Sequence, residues 1–155
     1  MNELEPIASE RLVLVPVAAR TAAAVIAGDL SDIDAGAGWP HADTLDGLRM
    51  IPRGGSAWFV TLDGLVIGDC GVHGAPDAAG DVEIGYGLAE PHRGHGYASE
   101  FVAALVGWLL RQPDVARVVA RDVDRDNIPS RRALERAGFT LERECSGTVD
   151  YAVGR

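Results

Sequence analysis

The sequence predicts an α+β domain with a mostly antiparallel sheet, and three observations predict it. Three β-rich runs in the middle of the chain follow one another across short turns, as in a meander. The third run leads through a long apolar helix into a further strand, an arrangement that joins parallel strands. A last pair of β-rich runs lies around Ser146-Gly147. At 155 residues and 47% hydrophobic content, we expect one domain over residues 1–155 with a substantial core.

The first part of the chain predicts a strand, two helices and a loop. Leu12–Val17 is a short apolar run typical of a buried strand. Ala18–Asp29 is alanine-rich and predicts a helix. Ser31–His41 contains two glycines and a proline, which indicate a loop. Thr44–Met50 predicts a short helix with Asp43 or Thr44 as its N-cap.

The meander begins with a hairpin. Ala57–Leu62 and Leu65–Val72 are joined by Asp63-Gly64, which is favoured in two-residue turns because both positions need positive φ. A glycine-containing loop, Gly74–Gly80, leads to a third strand over Asp81–Leu88.

The second half predicts two helices that alternate with strands. Apolar residues at three- and four-residue spacing predict a helix over Gly94–Arg111, and Ala116–Arg121 predicts a strand. The next helix has Asp126 or Asn127 as its cap, Pro129 in its first turn and Gly138 at its end. Two antiparallel strands follow over Phe139–Cys145 and Thr148–Val153.

Composition excludes several classes of protein. The 14 basic and 23 acidic side chains give a net charge of −9, which disfavours nucleic acid and favours a cationic partner. No apolar run approaches the ~20 residues of a membrane span, and the acidic N-terminus does not resemble a signal peptide. The two cysteines have no metal or disulfide spacing, so we expect buried thiols, no metal site and a cytoplasmic protein.

The most informative stretch is the strand Val82–Leu88 followed by the glycine-rich segment Arg93–Ala98. Free backbone amides and the positive end of a helix meet there, which predicts binding of a phosphorylated ligand. A dinucleotide fingerprint is a poor alternative because repeated strand–helix units are missing, and the lysine of a P-loop is absent. A glycine-rich helix entry without a ligand is the remaining alternative.

Two motifs resemble those of the GNAT superfamily of acyl-CoA N-acyltransferases. Arg93–Ala98 fits the pyrophosphate-loop pattern Gln/Arg-x-x-Gly-x-Gly/Ala at every specified position. A second motif is matched by Asn127, Ser130, Leu134, Glu135, Gly138 and Phe139. The likeness extends from about Ser9 onward and is strongest to the Rim-type branch of ribosomal-protein N-terminal acetyltransferases. It implies a three-layer α/β/α domain with a centrally splayed mixed sheet, and acetyl-CoA as co-substrate.

The resemblance implies roles for the residues around this cleft. The acetyl-CoA site would comprise Gly87, Leu88, Arg93, Gly94, His95, Gly96, Tyr97, Ala98, Asn127 and Arg131. Asn127 can equally be a plain helix cap, and Arg131 or Arg132 can equally be a solvated surface charge.

Catalysis requires a base for the amine and an acid for the departing thiolate. Glu83 is the candidate base, with an ordinary exposed strand residue as the alternative. Many relatives use a tyrosine at the position of Leu134 as the acid. Rim-type relatives carry a serine where Ser130 lies, so the resemblance makes Ser130 the candidate here, with a helix-capping serine as the alternative. Tyr86 and Tyr151 are further donors, although packed aromatics are the simpler interpretation.

The acceptor side is expected to involve the loop before the second helix. Trp39, His41 and Tyr86 are the candidate substrate-binding residues, and nearby aspartates would attract a cationic amine. The predicted reaction is N-acetylation of a primary amine, either a small molecule or a peptide N-terminus. A non-catalytic acyl-CoA-binding sensor is the alternative, because the usual tyrosine is missing. Exposed strands at the sheet end would allow a homodimer, which the sequence leaves open beside a monomer.

Overall fold

Eight strands form one sheet in the computed structural model, which describes residues 1–155. Their order is β1-β2-β3-β4-β5-β6-β8-β7, and only β5 and β6 are parallel. The strands are β1 Ile7–Ala8, β2 Val13–Pro16, β3 Ser56–Leu62, β4 Leu65–Val72, β5 Asp81–Leu88, β6 Arg117–Asp124, β7 Thr140–Cys145 and β8 Thr148–Gly154. The predicted α+β fold with a mostly antiparallel sheet is therefore confirmed.

Four helices cover the two faces of this sheet. They are α1 Ala19–Ile26, α2 Ala42–Leu48, α3 Tyr97–Leu110 and α4 Ile128–Arg136. Helices α1 and α2 pack on a cluster of 9 buried residues, and α3 and α4 pack on a second cluster of 24. Trp58 of β3 and Trp108 of α3 meet edge to face in the larger cluster, with ring centroids 5.3 Å apart. Each helix pair thus removes its own apolar face from water.

The predicted hairpin is present, and its turn has the expected backbone. Asp63 and Gly64 have φ values of 50° and 84°, as a two-residue turn with positive φ at both positions requires. The helix predicted from Gly94 begins instead at Tyr97, because Gly94 and Gly96 take positive φ and form the loop before it.

One helix cap and one strand end differ from the prediction for local reasons. The cap of α2 is His41, whose ring accepts a hydrogen bond from the Thr44 amide while the Thr44 hydroxyl accepts one from the His41 amide. The prediction of Asp43 or Thr44 as the N-cap is therefore wrong, because the helix begins at Ala42. Strand β6 continues to Asp124 through an irregularity in its pairing with β8, where Asp122 has a φ of 55°.

The two cysteines differ in environment. Cys70 is buried in β4, as expected, but Cys145 is exposed. The expectation of a buried thiol is wrong for Cys145 because β7 is the last strand of the sheet and all six of its residues are exposed. None of the helices is long and apolar enough to cross a bilayer.

The parallel strands are clamped at one end. Asp81 begins β5 and accepts two hydrogen bonds from the Arg117 guanidinium of β6, at 2.9 Å and 2.6 Å. These bonds lower the pKa of Asp81 below its ordinary value, so the carboxylate stays ionised over the neutral range.

We expect Asp81→Asn to lower the free energy of unfolding near pH 7 by about 1–2 kcal/mol, because hydrogen bonds to a charged partner are weakened. A carboxyl whose pKa is lowered by folding stabilises the fold above its unfolded pKa of about 3.9, and this contribution is lost as the pH falls through the folded pKa. The difference between variant and wild type should therefore shrink toward pH 3. Urea unfolding across this range measures it.

Asp63→Asn, at an exposed turn with no side-chain partner, is the matched control and should unfold like the wild type at every pH. A stability difference for Asp81→Asn that stays constant with pH would contradict the ionic role of the clamp.

Candidate functional site

The two parallel strands separate immediately beyond their shared beginning. Three residue pairs hold them together, and the last joins Glu83 of β5 to Val119 of β6. Beyond Glu83, β5 pairs only with β4, on its other edge. The edge of β5 over residues 84–88 therefore has no partner strand and opens a cleft within the sheet.

The pairing of β5 with β4 decides which amides face this cleft. The phase of the ladder is fixed by backbone hydrogen bonds at its two ends, from the His73 amide to the Glu83 carbonyl and from the Ala89 amide to the Ile67 carbonyl. Because antiparallel pairs alternate, the Gly87 amide points to β4. The amides of Tyr86 and Leu88 point into the cleft and are placed to bind an extended ligand.

The glycine-rich loop lies at the open end of the cleft. The backbone amides of residues 94–99 have no acceptor within the protein, and Gly94 and Gly96 have φ values of 86° and 77°. The Arg93 Nε atom donates to the Leu88 carbonyl at 3.1 Å and so ties the loop to the end of β5. Unpaired amides at the start of a 14-residue helix form a site suited to a phosphate-like anion.

Arg11 braces this loop, a contact that the sequence did not indicate. Its guanidinium donates to the His95 carbonyl at 3.0 Å and to Glu100 at 2.7 Å, and it lies 4.5 Å from the centre of the Tyr97 ring. Burial acts to raise the pKa of Glu100, but hydrogen bonds from Ser9 and Arg11 outweigh it and lower that pKa. The ion pair thus fixes the start of α3 and holds the Arg11 guanidinium beside the loop.

Glu83 lies at the fork itself, beside His73 and Arg121. Its carboxylate is 3.4 Å from His73 Nδ1 and 3.9 Å from Arg121 Nη1, and 28% of the side chain is exposed. The ring of His73 crosses β5 over Gly85, where a Cβ atom would lie 2.9 Å from Nε2. Extending the β4–β5 register by one residue brings His73 opposite Glu83.

Ser130 lies on the other face of β5, at the start of α4. Its hydroxyl is 2.7 Å from the hydroxyl of Tyr86. Asn127 caps the same helix turn by accepting from the Ser130 amide at 3.2 Å, and its own side-chain NH₂ has no acceptor in the protein. Leu134, where many relatives carry tyrosine, is fully buried.

The candidate acceptor residues Trp39 and His41 belong to a buried polar cluster under α2. The Trp39 indole donates to Asp69 at 2.9 Å and packs edge to face on Phe59. The Thr44 hydroxyl donates to the same Asp69 oxygen at 2.5 Å. Burial raises the pKa of Asp69 despite these two bonds. Trp39 is therefore held in the interior, and the cluster fixes the loop that carries His41.

The His41 ring lies against Gly87, one residue before the end of β5. A Cβ atom at Gly87 would lie 2.5 Å from His41 Cε1. His41 Nδ1 caps α2, while Nε2 is buried without a hydrogen-bond partner, 4.0 Å from Asp69. Both nitrogens are turned away from solvent, so His41 acts as a wall of the site.

A cavity of about 310 Å³ opens on this face, between α2 and strands β4 and β5. Its rim carries the carboxylates of Asp43 and Asp46, both exposed, and its lining includes His73, the partner of Glu83. Gly71 and Gly85 leave its floor without side chains. The cavity is acidic and lies beside the fork.

Arg131 and Arg132, the remaining arginines considered for this site, differ in their contacts with the rest of the protein. Arg131 donates to the Tyr151 hydroxyl at 3.0 Å and to the Arg125 carbonyl, while Tyr151 donates to Glu135. Arg132 is exposed without a side-chain partner. No group of three or more His, Cys, Asp or Glu side chains is arranged to hold a metal ion.

A forked parallel pair with an anion-binding loop at its open end defines the class of acyl-CoA acyltransferases that the two motifs resemble. The chain matches the acetyltransferase (GNAT) domain family over residues 11–140. It therefore belongs to the GNAT acetyltransferases, and the resemblance inferred from the motifs is confirmed.

Known proteins agree with this assignment. An uncharacterized N-acetyltransferase of Bacillus subtilis (strain 168), YjdG, is 29% identical over 117 residues, which cover 68% of this chain and 69% of that protein. An acetyltransferase from Agrobacterium tumefaciens str. C58 is 26% identical with a TM-score of 0.70, over 100% of this chain and 97% of that one. The ribosomal L7/L12 acetyltransferase RimL, solved with coenzyme A, is 21% identical and shares the fold, with a TM-score of 0.70. The match covers 97% of this chain and 98% of that one.

We expect Gly87→Ala to lower the free energy of unfolding by about 1–3 kcal/mol, because the added methyl group overlaps the His41 ring. The ring cannot move aside without breaking the cap of α2. Thermal and urea unfolding measure the change.

Gly47→Ala is the matched control, since Gly47 lies within α2 with nothing within 4 Å of its Cβ position. Alanine should stabilise the helix there by about 0.5–1 kcal/mol. Equal effects of the two substitutions would show that His41 is not fixed against β5.

Proposed function

We propose that the protein transfers the acetyl group of acetyl-CoA to a primary amine by direct attack of the amine on the thioester. The observation that carries this proposal is the fork at Glu83, which has an anion-binding loop at its open end and an acidic cavity on one face. A co-substrate and an acceptor can therefore reach the same point from different sides.

The cofactor side is proposed to hold coenzyme A through its diphosphate. Six backbone amides without protein acceptors, at residues 94–99, are suited to this group. The unpaired edge of β5 suits the extended, amide-containing pantetheine arm, with the amides of Tyr86 and Leu88 as donors. One of these amides can also stabilise the negative charge that develops on the thioester oxygen.

The proton of the amine is proposed to leave through Glu83. The acceptor arrives as an ammonium ion and must lose a proton before its nitrogen can attack. Glu83 is at the fork, is partly exposed and lies beside the acidic cavity, so it can accept this proton directly or through a water molecule. His73 and Arg121 keep the carboxylate oriented toward the fork.

The acceptor is proposed to be a cationic amine of modest size. A cavity of about 310 Å³ accommodates a small molecule or the first residue of a peptide. Asp43 has no bonding partner on the rim, and the net charge of −9 favours a cation.

A non-catalytic acyl-CoA-binding role is the second candidate. The observation that favours it is the buried Leu134 in place of the tyrosine that many relatives carry. Such a protein would bind acetyl-CoA tightly without turning it over.

We expect Arg11→Ala to weaken acetyl-CoA binding by about 5-fold to 10-fold. The physical reason is that the loop loses its brace at the His95 carbonyl and the charge beside it. Titration calorimetry measures the dissociation constant. Arg20→Ala, on the exposed face of α1 with no side-chain partner, is the control and should bind like the wild type. Equal affinity of both variants would place the diphosphate elsewhere.

The function is tested with a panel of four amines: agmatine, spermidine, lysine methyl ester and a tetrapeptide with a free N-terminal serine. Coenzyme A release and the mass of the acetylated product are measured for the wild type and for Glu83→Gln. We expect turnover with at least one cationic amine, and a 10²-fold or greater loss of kcat, on the order of a general base's contribution, with unchanged acetyl-CoA affinity in the variant.

The outcomes separate the two candidates. Tight acetyl-CoA binding with no product from any amine would support the sensor. Turnover that Glu83→Gln leaves intact would retain the acetyltransferase but remove Glu83 as its base.

A further inference from the structure

Tyr86 lies on the unpaired edge of β5, three residues beyond Glu83, where the pairing with β6 ends. Its side chain alternates with those of Glu83 and Gly85 along β5, so it projects to the opposite face of the sheet, toward α3 and α4. Its backbone amide opens into the cleft. Its hydroxyl therefore lies on the face of Ser130, although the residue also lines the cavity between α2, β4 and β5. From the sequence alone, Tyr86 is a candidate both for the acceptor site and for a proton donor.

The hydroxyl of Tyr86 makes two contacts, both with Ser130. It lies 2.7 Å from Ser130 Oγ and 3.1 Å from the Ser130 carbonyl oxygen. When Tyr86 donates to the carbonyl, the Ser130 proton points back to the phenol. When Tyr86 donates to Oγ, the Ser130 proton is free to point into the cleft.

The ring is held so that this pair keeps its geometry. Tyr86 packs edge to face on Phe101 of α3, with centroids 6.0 Å apart and an angle of 77° between the rings. Asn127 fixes the other partner by accepting from the Ser130 amide. Neither hydroxyl needs to move for the proton to pass between them.

We propose that Tyr86 and Ser130 act as one proton-donating pair for the coenzyme A sulfur, an inference that rests on the proposed acetyl transfer. As the C–S bond of the tetrahedral intermediate breaks, the sulfur takes the hydroxyl proton of Ser130 and the S–H bond forms. Ser130 takes the phenolic proton of Tyr86 in the same step, so no serine alkoxide accumulates. The phenolate then regains a proton from solvent before the next turnover.

The environment of Tyr86 keeps the phenol protonated between turnovers. Burial raises the pKa of Tyr86 above its ordinary value, although the bond with Ser130 opposes this. The ionisable residues of the elements packed around it include Asp69 and Cys70 on β4, Tyr97 and Glu100 on α3, Arg131, Arg132, Glu135 and Arg136 on α4, and Tyr151 on β8. Tyr151 adds to the rise, and its own hydroxyl is already bound to Arg131 and Glu135.

This pair explains how the chain dispenses with a tyrosine on α4. Leu134 fills that position with an apolar side chain that is fully buried and can donate no proton. The phenol is supplied instead by Tyr86 of β5, three residues beyond Glu83. Acid and base thus lie on the same strand but on opposite faces of the sheet.

The test compares Tyr86→Phe, Ser130→Ala and the double variant, with acetyl-CoA and agmatine or whichever of the four panel amines gives the greatest turnover. We expect each single variant to lower kcat by about 10-fold to 100-fold, toward the lower end of a general acid's contribution, with unchanged acetyl-CoA affinity. Because the two groups act as a unit, the double variant should be no worse than the poorer single one. Thr61→Val, whose hydroxyl binds only the Val13 carbonyl and which lies on β3, a strand that does not adjoin β5, is the control and should keep full activity.

A second readout separates proton donation from mere packing. Tyrosine at position 86 is replaced by monofluorinated and difluorinated tyrosine, which keep the ring and lower the pKa of the phenol. The alkaline limb of the kcat–pH profile reports the loss of the phenolic proton, so it should move to lower pH in step with fluorination. Thermal unfolding checks that each variant is folded.

The results distinguish this inference from the proposed function. Wild-type turnover with Tyr86→Phe near wild-type kcat, or an alkaline limb that fluorination leaves in place, would overturn the paired donor while retaining acetyl transfer. An inactive wild type would instead overturn the proposed function.

Discussion

Only three residue pairs join β5 to β6, and the separation that follows them is the constraint on which the site depends. Backbone amides on an inner strand are normally consumed by its two neighbours. Here one edge of β5 is left unpaired within the sheet, so its amides need another partner. The clamp between Asp81 and Arg117 holds the closed end and allows the open end to widen without loss of register.

The two faces of the sheet carry different functional side chains at the fork. Side chains alternate along a strand, so Glu83 and Tyr86, three residues apart, project to opposite sides. The face with α1 and α2 carries Glu83, His73 and the acidic cavity. The face with α3 and α4 carries Tyr86 and Ser130. The proposed base and the proposed acid can then hold different protonation states without direct contact between them.

Glycines give each face its shape. Gly85 and Gly87 leave room for the rings of His73 and His41 on the face with α1 and α2, and Gly94 and Gly96 take the backbone conformation that exposes the amides of the glycine-rich loop. The buried Asp69 carboxylate also positions a loop beside the site, because it accepts hydrogen bonds from both Trp39 and Thr44. The polar interior of this domain therefore fixes the position of loops that border the site.

The sequence by itself determined the element types, the hairpin turn, the anion-binding loop and the family. These follow from local patterns: periodicity, turn dipeptides and glycine spacing act within a few residues. The Arg11 brace, the opposition of His73 to Glu83 and the pairing of Tyr86 with Ser130 were decided only by the tertiary structure. Each joins residues between 10 and 89 positions apart, and strand order, register and side-chain face had to be known before any of these contacts could be seen.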